Sequence, residues 1–159
     1  MGTNRGAKSI LAVGAWGDTQ GDFQAYGADA FADIPVGKNA VTAEGDYLYY
    51  DGGKQFTSVV AGVVTPLLPR QEVFFTQAGF YFDAIKLQPF LRYEWLDFRE
   101  DRFQTRNAMG YGGGVNWYIS AQDQKVTAFY ERIDPKVKAA NARIRLTNHA
   151  GIQMQFYYF

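Results

Sequence analysis

Cysteine is absent from the 159 residues, and histidine occurs once. Disulfide scaffolds, Cys-ligated zinc, thiol catalysis and multi-His metal centres are thereby excluded. A surplus of one charge is also lacking: sixteen Lys and Arg balance sixteen Asp and Glu. No net field therefore recruits nucleic acid or an anionic membrane surface. Although 47% of the residues are apolar, no run approaches the ~18 apolar residues of a transmembrane helix. Strand and turn formers are plentiful instead, with 13 Phe, 11 Tyr, 3 Trp and 17 Gly. The length fits one domain, residues 1–159, and the composition points to an all-β protein with thinly spread apolar surface.

Period-2 alternation runs through most of the chain, and helical periodicity is scarce. In 86–97 the odd positions Leu87, Pro89, Leu91, Tyr93 and Trp95 oppose Lys86, Gln88, Arg92 and Glu94. In 109–119, Met109, Tyr111, Val115, Trp117 and Ile119 oppose Gly110, Gly112, Gly114 and Asn116. A long last strand sets Leu146, Ala150, Ile152, Met154, Phe156 and Tyr158 against Arg143, Arg145, His149 and Gln153. In 41–49, Val41, Ala43, Tyr47 and Tyr49 face away from Thr42, Glu44 and Asp46. Weaker alternation marks 23–34, 73–82 and 126–133, while 8–17 is apolar on both faces and its parity is unreadable. About eight strands result.

The connections are sorted by length. Short ones fall at 35–39, 83–86 and 120–124; longer ones fall at 51–72, 97–107 and 134–142, with 18–22 a modest exception. Tight turns at one end and long loops at the other are the plan of an antiparallel, up-and-down transmembrane β-barrel of about eight strands. The apolar faces are sorted by depth too. Small or aliphatic residues (Ala43, Ala78, Leu91, Val115, Ala128, Ile152) occupy strand middles. Tyr47, Tyr49, Tyr93 and Trp95 at one end, with Trp117, Tyr158 and Phe159 at the other, form two aromatic girdles. A lipocalin-like soluble barrel shares the alternation but has no reason for either sorting.

The segments KSILAVGAWGDTQ, AYGADAFADIPVG, LPRQEVFFTQAGFYF, KLQPFLRYEW, YGGGVNWYISAQDQKVTAFYERI and IQMQFYYF together resemble the phosphate-selective porin O and P family of Gram-negative outer membranes. The resemblance covers nearly all of 8–159 but only the carboxyl-terminal half of a typical member. It implies a sixteen-stranded, trimeric anion channel in the bacterial outer membrane. It carries over no individual binding residue, since the family's constriction loop and much of its arginine set lie in the other half. On this reading 1–17 holds a first strand rather than a signal peptide, and a signal is expected upstream of Met1.

By parity, the inward charges are Asp29, Asp33, Glu44, Asp46, Lys86, Arg92, Glu94, Lys125, Glu131, Arg143 and Arg145. The pore-lining candidates among them are Lys86, Arg92, Glu94, Glu44, Asp46, Arg143 and Arg145, with Lys86, Arg92, Arg143 and Arg145 attracting anions. Partners are the lipid bilayer or lipopolysaccharide and small polar or anionic solutes, and an oligomer is compatible with this. No nucleic acid, cofactor or metal is expected. Asp97, Glu100 and Asp101 are interrupted by Arg99 and Arg102 and read as a charged loop rather than a calcium site. Arg132, Lys136, Lys138, Arg143 and Arg145 make the last long loop basic. Catalysis is not expected: nothing ties Ser58 to the single imidazole, His149.

The expected function is passive passage of solutes. A closed eight-stranded structural or engineered barrel without transport is the alternative, and a small outer-membrane lipid enzyme is the third reading. Phe159, as a girdle anchor at the chain's end, generates a first prediction. Its deletion is expected to lower assembly in cells more than refolding in vitro; equal cellular yields would remove the role.

Overall fold

A computed structural model describes residues 7–54, 57–120, 124–136 and 146–156. Eight strands form one antiparallel sheet: β1 (Ile10–Gln20), β2 (Phe23–Val36), β3 (Asn39–Asp51), β6 (Gln71–Tyr81), β7 (Leu87–Phe98), β8 (Ala108–Ser120), β9 (Gln124–Pro135) and β10 (Thr147–Phe156). Each pairs with its neighbour in chain order, as in a simple meander. A separate hairpin, β4 (Thr57–Val60) with β5 (Val63–Pro66), rises from the connection between β3 and β6. The sheet strands hold 10 to 14 residues, against the ~9–11 that a tilted strand needs to cross a hydrocarbon core. No helix among the described residues is long and apolar enough to do so.

The short connections follow from turn chemistry. Gly37 has φ +64° between Val36 and Asn39, the positive-φ first position of a two-residue hairpin turn. At the other end a 3-10 turn, Asp101–Arg106, follows β7. Asn107 fastens it, accepting from Phe98 N at 2.7 Å and donating to Asp97 Oδ1 at 2.7 Å. Ion pairs brace the same end: Arg99 with Glu72 at 2.6 Å, Arg70 with Asp51 at 2.8 Å, and Lys136 with Asp97 at 3.1 Å. Hydrogen bonds that the Arg99 and Arg70 guanidiniums donate to Glu72 and Asp51 hold them above their ordinary pKa. The expected charged loop is thus largely self-neutralised where it is described.

Burial is inverted relative to a water-soluble sheet. Leu91 and Ile152 are 74% and 78% exposed, whereas Asp33 and Gln88 on the opposite face are 0% and 4% exposed. Cross-strand register assembles the apolar face into rows. The central row runs Leu11, Ala32, Ala43, Ala78, Leu91 and on to Ala150. Toward the long loops come Tyr47, Phe74 and Trp95, and beyond them Tyr26 stacked on Tyr49 at 4.5 Å. Toward the short turns come Phe80, Phe82 and Trp117, the first two with ring centroids 4.7 Å apart. The unreadable first strand resolves here: Leu11 and Val13 lie on the apolar face, Gly14 and Trp16 on the other.

The sheet is rolled with its polar face inward, because side chains of β3 and β10 line one cavity. Among the described residues β1 pairs only with β2 and β10 only with β9, so both edges lack a partner strand. The faces predict opposite responses to charge. Leu91→Arg is expected to cost about 2–4 kcal/mol of folding free energy in a bilayer, the range for a cation at mid-depth on a lipid face. Arg92→Leu, one residue away, is expected to cost less. Urea-dependent refolding into lipid vesicles reads both; equal effects would overturn the assignment of faces.

Candidate solute-facing wall

Alternation sends Gln88, Phe90, Arg92, Glu94 and Leu96 of β7 to the inner face. Register with the neighbouring strands stacks that face in layers. Nearest the short turns, Ala40, Tyr81 and Tyr118 form a small buried core, the two rings edge-to-face at 5.5 Å.

A hydrogen-bonded amide layer follows. Gln88 Nε2 donates to Thr42 Oγ1 at 2.8 Å, while Gln88 Oε1 accepts from Tyr118 at 2.7 Å and from Asn116 at 3.0 Å. Thr127 then donates to Asn116 Oδ1 at 2.6 Å. The chain of bonds joins β3, β7, β8 and β9, so it ties together strands that do not pair directly.

Charge occupies the middle. A polar cavity of about 240 Å³ is bounded by Glu44, Gln77, Arg92, Lys125, Gln153 and Gln155, among others. Arg92 lies 3.6 Å from Glu131 and over the Phe75 ring at 5.5 Å. Its buried Nε has no hydrogen-bond partner among the described residues. The next row outward carries Asp29, Asp46, Phe75 and Glu94. Beyond that comes an apolar row, Trp16, Leu48, Val73, Leu96 and Ala108, still on the inner face.

Glycine sets how these layers meet. Arg92, Gly112 and Glu131 are successive register partners on β7, β8 and β9; the missing side chain lets the ion pair form across an intervening strand. Gly27 separates Trp16 from Leu48 in the same way, and an added Cβ there would fall 2.7 Å from Trp16 Nε1 and 2.9 Å from Leu48 Cδ2. Contacts between strands two apart shorten the inner side of the sheet and roll it.

Most sequence candidates reach the inner face: Glu44, Asp46, Arg92 and Glu94 stand on β3 and β7, with Asp29, Asp33, Lys125 and Glu131 around them. Lys86 is a correction. It lies in the 83–86 turn with φ +57°, bonded to Asp83 at 2.6 Å, so alternation begins only at Leu87. Arg143 and Arg145 lie outside the described residues, as do Tyr158 and Phe159. Tyr47, Tyr49, Tyr93, Trp95 and Trp117 occupy the apolar face. With Asp18 of β1, the described wall therefore holds seven carboxylates (Asp18, Asp29, Asp33, Glu44, Asp46, Glu94, Glu131) against Arg92 and Lys125, a more acidic surface than the expected anion-attracting set. Of the basic loop, Arg132 pairs with Asp134 at 3.2 Å and Lys136 with Asp97. Ser58 sits on β4 of the separate hairpin and His149 on the edge strand β10. No group of three metal-ligating side chains occurs among the described residues.

The apolar inner row escaped the sequence reading; the inward glycines Gly110, Gly112 and Gly114 did not, but the side chains that meet across them did. Leu48 and Leu96 share parity with charged residues, which was the available signal; the spacers need cross-strand register, which no single strand shows.

Gln88 is the hub of the amide layer. Gln88→Leu is expected to cost about 1–3 kcal/mol by stranding the partners on Thr42, Asn116 and Tyr118. The urea midpoint of refolding reads it, and an unchanged midpoint would show that the network contributes nothing net.

The family model described as phosphate-selective porin O and P matches residues 83–158, from the β6–β7 turn onward. That is just under half of the chain, and it agrees with the resemblance read from the sequence, which is to the family's carboxyl-terminal half. No curated protein and no solved structure matches the chain.

Proposed function

From a sheet whose residues 83–158 match the phosphate-selective porins, we propose that this chain forms the wall of a porin-like channel in the Gram-negative outer membrane. Small polar solutes cross it passively. The observation that carries this reading is the inverted burial, with Leu91 and Ile152 outside and Asp33 and Gln88 inside. An apolar exterior partitions into lipid, and the Tyr and Trp rows sit at the two boundaries, where a ring can face both hydrocarbon and water.

Edge strands β1 and β10, which have no partner strand among the described residues, cannot stay unpaired in hydrocarbon, because each unsatisfied backbone group there costs several kcal/mol. Further strands beside β1 and β10 complete the barrel. They also widen it: eight strands alone leave an interior that side chains nearly fill, whereas about sixteen leave an aqueous channel. Within the channel Arg92, which borders the polar cavity, is the cation that meets an anionic group, and anions such as phosphate are the finer solute class that the family match supports. The carboxylates around it oppose that preference, so selectivity is a balance of rows.

Purified protein in planar bilayers tests the reading. Steady conductance is expected once the barrel is complete. Arg92→Glu should move the reversal potential toward cation selectivity, since a wall charge acts at short range in a poorly screened space. Absence of conductance from every assembled form would overturn the channel and favour a closed structural barrel.

A further inference from the structure

Between the charged layer and the long-loop mouth, the inner face holds a cleft of about 350 Å³. Val73, Leu96, Ala108 and Ile133 supply apolar walls from four adjacent strands, and Glu94 supplies a carboxylate beside Gly110. An ordinary water-lined wall has no use for this. Apolar surface facing an aqueous lumen costs free energy unless something covers it.

The cleft exists because Gly110 stands between Glu94 and Ile133 in the register. An added Cβ at Gly110 would fall 2.7 Å from Glu94 Cγ, so the carboxylate lies over the bare backbone of β8. Glu94 makes no hydrogen bond or ion pair with another described residue. The nearest inner cation along β7, Arg92, is one layer deeper and is already beside Glu131. Asp29 and Asp46 occupy the same row as Glu94, which adds negative potential and no positive charge. Phe75, the direct register partner of Glu94, presents an aromatic side chain next to it.

We propose that this cleft is a binding site for amphipathic organic cations: a ring or short alkyl group against Val73, Leu96 and Ile133, and an ammonium on Glu94. The volume is about twice that of a cavity that holds benzene, which leaves room for a ring with an aminoalkyl arm. A half-buried carboxylate in apolar surroundings gains more from a cation than an exposed one does, because water screens it less. The same features disfavour carboxylate and phosphate solutes, whose charge would meet Glu94, Asp46 and Asp29. The inference takes the inner face as solute-accessible, as the channel reading has it, and assigns that face a second solute class near its mouth.

The test is a titration of the protein in lipid nanodiscs with phenethylammonium, followed through the methyl NMR signals of Val73, Leu96 and Ile133. Saturable shifts are expected, with phenylacetate, the same ring bearing the opposite charge, producing none. Glu94→Gln should weaken the binding at least tenfold while leaving the apolar walls in place. Gly110→Ala should weaken it by displacing the carboxylate. Partition of the probe into lipid would be the same for every variant, so equal titrations of wild type and Glu94→Gln would overturn the site. Equal shifts by phenylacetate would do so too. Failure of the channel reading shows separately, as loss of conductance with these titrations unchanged.

Discussion

Everything in this sheet depends on one constraint: in hydrocarbon a backbone amide has no water to bond, so each must bond another strand. That requirement forces long, unbroken antiparallel pairing from β1 to β10 and sends irregular backbone to the ends. It also frees the outer side chains from any polar duty. Ala, Leu, Ile and Val can stand outward at mid-depth, because the medium there is as apolar as they are. The alternation Leu91–Arg92–Tyr93–Glu94 is then a record of two solvents, one on each side of a single strand.

The inner face answers to a different requirement. Charged and amide groups taken from bulk water must find partners, and those on a curved sheet find them on strands two positions away. Thr42 reaches Gln88 across β6, Tyr81 meets Tyr118 across β7, and Arg92 meets Glu131 across β8. Glycine or a gap in the intervening strand makes each approach feasible, as Gly112 does for the ion pair. Curvature is therefore written locally, in triplets of register partners. It does not wait for the edges to be joined.

Much of this was legible in the sequence because period-2 alternation survives any tertiary context. Eight strands, their order and their faces follow from it, and seven of the eight had readable parity. Strand β1 did not, since Ala and Gly alternate there with Leu, Val and Trp and carry no contrast. Lys86 was misplaced for a physical reason: alternation cannot show where a strand yields to a turn, and only the left-handed backbone at 86 does so. The wall was legible residue by residue, as in Glu44, Asp46, Arg92 and Glu94, but not as layers. Layering depends on which residues of eight strands share a height, and a one-residue change of register rewrites all of it.

That dependence explains why charge on the wall cannot be counted as a sum. Arg92 pairs with Glu131 in one row that also holds Glu44, while Asp29, Asp46 and Glu94 sit in the next with no cation among them. A solute moving along the wall meets these rows one after another, separated by about the rise of two residues, roughly 7 Å. At physiological salt the screening length is about 8 Å, so adjacent rows are only partly screened from each other. Passage is then governed by the sequence of potentials rather than by net charge. A neutral chain can thereby present a carboxylate-rich mouth and a deeper layer of paired charge in turn, and the spacing that separates them is set by the β-pleat itself.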